Sequence, residues 1–446
     1  MALRSGGIPK AVCVVRQPEH LYGICAILVK AGTKAALAFA VSMTLFLNAA
    51  HASGLVTFTS PNPQVSGLFG TSVATNGPIV VVGAPQETGG GYSSAGHAYI
   101  TDTTKPLTIT LTSSNPQVDG LFGTSVAISG TTVVVGAPQE DAGGNAQAGN
   151  AYVFDAASGD LVCTLTSPNP QATGSFGFSV AISGQTVVVG APFEDAFGIS
   201  QAGNAYVFDA NLCTQLDIPL EGLSSPNPQA TGAFGFSVAV SGQTVVVGAP
   251  TEDAGVIFQA GNAYLFDATD GSLVSTLTSP NAETQGFCGV SVSISGTTVV
   301  AGAPNETGGG QAGAGNAYVF VRQSDGVWIQ EAVLTSPNAK TQGFFGLSVS
   351  IDGQTVVTGA PGETTGGQER AGHAYVYTFE AIPDAWVLGG SFASPYAQEG
   401  GLFGQSVAGS FDSASGETVL LFGAPVETAG GQEGAGHSYL NIGTAP

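Results

Sequence analysis

The stretch Leu121-Phe-Gly-Thr-Ser-Val-Ala-Ile-Ser-Gly-Thr-Thr-Val-Val-Val-Gly-Ala-Pro138 returns, edited, seven times along a chain of 446 residues. The Phe-Gly pair ends at Gly70, Gly123, Gly177, Gly235, Gly346 and Gly404, with Cys288-Gly289 as the fifth copy, and these glycines lie 53 to 58 residues apart. The Gly-Ala-Pro triplet begins at Gly83, Gly136, Gly190, Gly248, Gly302, Gly359 and Gly423. A fixed period of this size marks a propeller, a solenoid or an array.

One unit reads as four short strands with no helical periodicity. Ser125 to Ile128 is the first and Ser129-Gly130 a turn. Thr131 to Gly136, rich in valine, is the second and is expected to be buried on both faces. Asn150 to Asp155 is the third, Ala156-Ala-Ser-Gly159 a hairpin signal, and Leu161 to Thr166 the fourth. Ser167-Pro-Asn-Pro-Gln171 then crosses to the next Phe-Gly. The fold class expected is therefore all-β, a seven-bladed β-propeller of four-stranded antiparallel blades.

The ends of the repeat region favour a ring over a solenoid. Leu55-Val-Thr-Phe-Thr-Ser-Pro-Asn-Pro-Gln64 copies a fourth strand and its crossing, while the seventh repeat stops after its third strand, Gly436 to Ile442. The spare strand is expected to complete the last blade and cover its edge. A solenoid would instead need a polar cap at each end.

These repeats resemble the FG-GAP repeat, the blade of the β-propeller in integrin alpha chains and many bacterial surface proteins. The resemblance implies a binding scaffold, although propellers carry unrelated activities. It also raises calcium, because integrin-type blades carry an oxygen-rich D-x-D-x-D-G-like loop between the first and second strands. Here that connection is Ser-Gly in repeats two to five, Asn76-Gly77 in the first and Asp352-Gly353 in the sixth. The longer seventh, Phe411 to Glu417, lacks the carboxylate spacing. The usual calcium motif is absent and no cofactor is expected.

The first 52 residues differ from the rest. Lys30 and Lys34 precede an apolar run from Ala35 to Leu47 and an Ala50-His51-Ala52 site, the layout of a secretory signal cleaved after Ala52. The run is shorter than the ~20 residues of a membrane-spanning helix. Residues 1–28 read as a mis-assigned start upstream of that signal. The expected product, residues 53–446, is a secreted, periplasmic or cell-surface propeller. It keeps Lys105, Arg322, Lys340 and Arg370 against 30 acids, a net charge of −26. Such a chain is repelled by nucleic acid and anionic membranes. The 43% apolar content of the full chain, in Val-rich runs, separates it from disordered acidic chains.

Packing accounts for most repeated residues. Phenylalanine of Phe-Gly is expected between blades, and the serines before valine (Ser72, Ser125, Ser179, Ser237, Ser291, Ser348 and Ser406) near the axis, where small side chains fit. Cys163 and Cys213 read as occupying similar outer-strand places in successive repeats. Such places in neighbouring blades lie ~15 Å or more apart given a strand spacing of ~4.8 Å, whereas a disulfide needs Cα atoms within ~7 Å. Cys163, Cys213 and Cys288 are therefore expected to be free thiols.

Acids in the loops after Gly-Ala-Pro are the residues packing leaves over: Glu87, Glu140, Asp141, Glu194, Asp195, Glu252, Asp253, Glu306, Glu363 and Glu427. Propeller topology puts all seven loops on one face, where they are expected to form an acidic ring. Each acid either caps its own loop by accepting backbone N–H bonds or meets a cationic or cation-bridged partner. His97, His373 and His437 share a position that is asparagine in the other repeats (Asn150, Asn204, Asn262 and Asn316), which points to a loop hydrogen bond. A zinc site shared between blades would need ligands at ~2 Å, too close for third strands of adjacent blades.

No nucleophile elbow, H-E-x-x-H or phosphate loop occurs, so no enzyme is expected. The function expected is binding or adhesion to an extracellular protein or glycan through the loop face, by a monomer. A hydrolase or lyase using the acidic face, and a purely structural envelope component, are the alternatives. Seven-fold repetition favours binding, because catalysis by carboxylates needs one asymmetric pair and repetition supplies multivalent contacts.

Overall fold

The computed structural model describes residues 54–105, 107–216, 222–382, 384–412 and 417–444. The expected signal over 1–52, with its Ala50-His51-Ala52 site, lies outside them. Every described element is a strand, and the strands sort into seven antiparallel sheets. Blade 2 shows the rule: Ser125–Ser129, Thr132–Ala137, Asn150–Asp155 and Leu161–Thr166 run from the first strand to the outer one, each paired with the next. Strand alternation places one side of each blade against its predecessor and the other against its successor. Apolar residues on both sides of the second strand, such as Val133 to Val135, are consequently buried.

The core is seven interfaces rather than one centre. Each cluster draws on two adjacent blades, as where Val81, Ile100 and Leu111 of blade 1 meet Phe122, Val133 and Phe154 of blade 2. The phenylalanine of Phe-Gly sits in these interfaces as expected; Phe122 is fully buried and meets Phe154 edge-on.

The ring closes as the chain ends implied. Val56–Thr59 pairs antiparallel with His437–Thr444, the third strand of blade 7, with Thr59 opposite His437. The first-strand serines are more than small side chains. Ser72 Oγ donates to the Gly123 carbonyl of the next blade at 2.9 Å, and the pattern repeats until Ser406 Oγ donates to Gly70 at 2.8 Å across the seam. This staple explains the glycine of Gly-Ala-Pro. A Cβ on Gly136 would lie 1.9 Å from the Gly177 carbonyl oxygen and 2.4 Å from Ser125 Oγ. Serines at the far end of the first strands bind the next blade too, as where Ser129 Oγ accepts the Gly184 N–H at 3.0 Å.

Blade 3 departs from the pattern and overturns the expectation of free thiols. Cys163 and Cys213 form a disulfide, with Cα atoms 6.2 Å apart. Cys213 is not in an outer strand. It sits in the turn leaving the third strand, where its N–H donates to the Asp209 carbonyl at 2.8 Å just as Gly159 and Gly271 donate to Asp155 and Asp267. The outer strand of each blade lies over that turn of the next: a Cβ on Gly159 would come within 2.5 Å of Ile109 Cγ2. Cysteine in place of glycine at this overlap brings its sulfur to the outer strand of blade 2. Comparing outer strand with outer strand gave too long a distance. Cys288 is free and buried, as expected.

Candidate functional site

The loops after Gly-Ala-Pro lie on one face, but the structure separates the ten acids into two groups. Glu87, Glu140, Glu194, Glu252, Glu306, Glu363 and Glu427 are fully buried. Asp141 and Asp195 are exposed, and Asp253 is half-buried. Instead of forming the expected exposed acidic rim, the seven glutamates are closed off from solvent.

Each glutamate is the centre of one repeated cluster. The tyrosine twelve residues on donates its hydroxyl to the carboxylate in all seven blades: Tyr99, Tyr152, Tyr206, Tyr264, Tyr318, Tyr375 and Tyr439. The residue ten on supplies a nitrogen beside the same carboxylate. Asn150 Nδ2 donates to Glu140 at 2.9 Å and Asn204 Nδ2 to Glu194 at 3.0 Å. His97 Nδ1 lies 3.1 Å from Glu87, His373 Nδ1 3.3 Å from Glu363 and His437 Nδ1 3.0 Å from Glu427. The loop hydrogen bond inferred from the Asn/His exchange is present; its partner is the glutamate in six blades, and His373 also contacts Thr365 Oγ1 at 3.2 Å. A third group comes from the preceding crossing. Ser167 Oγ donates to Glu194 at 2.5 Å, while Ser113 Oγ donates instead to the Tyr152 hydroxyl at 3.0 Å.

The carboxylates therefore cap side chains, not the backbone N–H groups expected of them. Each cluster fastens the second-to-third loop to its own third strand and to the crossing that arrives from the blade before. Burial holds the carboxyls of Glu140, Glu194, Glu252 and Glu306 above their ordinary range, against the lowering effect of the serine, tyrosine and asparagine donors. Burial, with the neighbouring carboxylate, also pushes the tyrosine hydroxyls up, which keeps them donors. Sequence reading passed over the tyrosines and the crossing serines. Their signal was the constant spacing of glutamate to tyrosine in every repeat.

The aspartates do what was expected of the whole set. Asp141 Oδ1 accepts the Gln147 N–H at 3.0 Å, and Asp195 and Asp253 accept those of Gln201 and Gln259. Glutamines of the crossings cap the same loops from the other side, Gln117 Oε1 accepting the Asp141 N–H at 3.0 Å. Two of these loops carry an addition. Phe197 is 70% exposed, Val256 99% and Phe258 54%. Phe197 stands where Gly143 stands in blade 2, and it keeps the left-handed backbone of that glycine at φ 53°. That conformation costs a side-chain-bearing residue roughly 1–2 kcal/mol.

Among the described residues no group of three or more His, Cys, Asp or Glu side chains is placed to hold a metal ion, and no helix is long and apolar enough to cross a membrane. Among curated proteins no sequence match is found. Among solved structures the fold is similar to the crystal structure of the RRP9 WD40 repeats, with a TM-score of 0.55 and 9% identity over 87% of this chain and 97% of that one. At that identity the likeness is one of fold alone. The FG-GAP repeat family matches residues 108–154, 161–208, 223–266, 272–320 and 328–377. Each matched segment runs from an outer strand, or its last residues, through the third strand of the next blade, the same unit that the clusters and staples tie together. These five segments make up more than half of the sequence, and the chain belongs to the FG-GAP repeat family.

Proposed function

We propose that this protein is an exported, non-catalytic binding scaffold that holds an extracellular protein or glycan on the loop face of blades 3 and 4. The observation that carries the reading is Phe197. An aromatic residue kept exposed in a left-handed conformation, where a glycine would be unstrained, is a cost that folding does not require. Val256 and Phe258 extend the apolar surface on the adjacent blade, and Asp195 and Asp253 edge it with negative charge. An exposed apolar patch with a polar border is the composition of an interaction surface. The partner that suits it is apolar at its centre and cationic, or cation-bridged, around it.

Three further observations support the reading. The glutamates repeat one buried hydrogen-bonded role, so they supply no asymmetric acid–base pair for hydrolysis or elimination. FG-GAP repeats are typical of extracellular proteins. A disulfide between blades persists in oxidising compartments. The scaffold acts without a cofactor in this reading.

Screening the exported chain on protein and glycan arrays, with and without Ca²⁺, identifies the partner. Replacing Phe197, Val256 and Phe258 by glycine then lowers its affinity at least roughly ten-fold. The single change Phe197→Gly raises fold stability by about 1 kcal/mol as the strain is released. Unchanged affinity in the triple variant, or a loss of stability in Phe197→Gly, contradicts the reading. Binding also weakens with salt, because exposed charges are screened beyond ~8 Å at physiological ionic strength.

A further inference from the structure

A propeller exposes the outer edge of each blade, and an exposed strand edge is a template for another strand unless something blunts it. Here most blades have a blunted edge. The outer strands of blades 2, 4, 5 and 6 each carry a register shift against the third strand. In blade 3 the described part of the outer strand is Thr214–Gln215 and Leu223–Ser224. The closing strand of blade 7 has four residues.

Blade 1 is the exception. Leu107–Leu111 pairs with His97–Asp102 over its whole length without a shift. It carries no charge and no proline. Lys105, in the turn before it, and Asp102, which ends the third strand opposite Leu107, are engaged with each other at 2.7 Å. Mainly apolar grooves flank the strand on both sides. One is lined by Ile79, Ile100 and Ile109, the other by Phe58, Leu440 and Ile442, and Leu107 and the Lys105–Asp102 pair border both. Leu107 is itself 54% exposed.

The residues of this edge name its occupant. Leu107-Thr-Ile-Thr-Leu111 reads the same in both directions. Laid antiparallel against a copy of itself about a two-fold axis at Ile109, it sets each leucine beside a leucine and each threonine beside a threonine. Isologous contacts of this kind are what a two-fold dimer requires, and Thr–Thr cross-strand pairs are favourable. We propose that the unblunted edge of blade 1 pairs with the same edge of a second copy, joining two propellers through one continuous eight-stranded sheet. This replaces the monomer expected from sequence. The contact is smaller than the ~1,200–2,000 Å² of a stable interface, so the dimer is concentration-dependent. Both copies are strongly acidic, so salt strengthens the association by screening their repulsion, opposite to its effect on a cationic partner at the loop face.

Sedimentation velocity of the exported chain over a wide concentration range, at low and high salt, reads the equilibrium. A monomer–dimer equilibrium that moves toward dimer with salt is expected. Thr110→Lys places a charge on the edge while reducing the net negative charge, so added repulsion cannot explain a loss of dimer. It is expected to weaken association roughly ten-fold or more with an unchanged melting temperature.

A thiol at position 110 maps the register. In this pairing residue 110 lies diagonal to its own copy across the axis at ~7–8 Å. A short bis-maleimide therefore links Thr110→Cys into covalent dimers, but not Thr276→Cys at the same place in blade 4. In the exported product, residues 53–446, which lacks Cys13 and Cys25, the native cysteines do not compete, since Cys163 and Cys213 are paired and Cys288 is buried. A chain that stays monomeric throughout overturns the proposal and leaves the edge to a strand from a different protein. A dimer indifferent to Thr110→Lys, or equal cross-linking at 276, places the contact elsewhere and also overturns it.

Discussion

Blades 2 to 5 and blades 6, 7 and 1 bury the same glutamate against the same tyrosine, yet they differ in what stands beside it. In the first arc it is asparagine, whose amide donates to the carboxylate at 2.9–3.1 Å. In the second it is histidine, whose Nδ1 lies 3.0–3.3 Å away. The backbone of that residue is unaffected: Asn150 and His97 both open a third strand and pair with the last alanine of the second. The difference teaches that this position is selected for a nitrogen facing a buried carboxylate, not for a side-chain shape. The fixed element of the cluster is the glutamate.

Removing the glutamate should therefore have the largest effect, and a similar one in both arcs. Glu252→Ala and Glu427→Ala each strand a buried tyrosine hydroxyl and a second donor, at ~1–3 kcal/mol for each unsatisfied group. A total of about 3–5 kcal/mol is expected from chemical denaturation, a large share of a typical ~5–15 kcal/mol stability. If one arc tolerated alanine and the other did not, the glutamate would not be the common element.

Acid probes the asparagine arc by a smaller effect. Burial raises the carboxyls of Glu140, Glu194, Glu252 and Glu306 above their ordinary value of 4.5. A group whose folded pKa is raised contributes stability that is fully present below its unfolded pKa and lost as pH rises through the folded one. Through these four groups the melting temperature should rise as pH falls from neutrality toward 5. Changing all four to glutamine should flatten that rise, because a neutral amide no longer exchanges a proton. A melting temperature that rose just as much in the quadruple variant would assign the effect to other groups.

The smallest effect should come from exchanging the arcs. Asn262→His and His437→Asn each keep a nitrogen facing the carboxylate, and each is expected to cost less than ~1 kcal/mol. Asn262→Ala, which withdraws it, should cost ~1–3 kcal/mol. Equal losses for exchange and truncation would show that side-chain shape matters as much as the nitrogen.

The disulfide and the edge of blade 1 show where sequence reading reached its limit. Read from the sequence, Cys163 and Cys213 occupy equivalent places on equivalent strands, too far apart for a bond. The bond exists because the outer strand of one blade overlaps the third-strand turn of the next, and because cysteine replaces glycine in that turn. The overlap is not written in the spacing of the repeats. The outer edges were equally hidden, since a register shift of one residue leaves no mark in a run such as Leu161-Val-Cys-Thr-Leu-Thr166.

What the sequence determined by itself was the number of blades, the order of the strands, the position of the Phe-Gly phenylalanine between blades and the closure of the ring by Val56–Thr59. Those features rest on local alternation and on a repeat whose two ends complement each other, and both are properties of the chain alone. Only the tertiary structure decided the fate of the acids. A glutamate in a glycine-rich loop looks solvated until the tyrosine twelve residues on and the asparagine or histidine before it converge on its carboxylate, joined directly by the crossing serine at Glu194 and Glu363. Donors brought together from different segments make burial tolerable. That convergence belongs to the packing of one blade against the next.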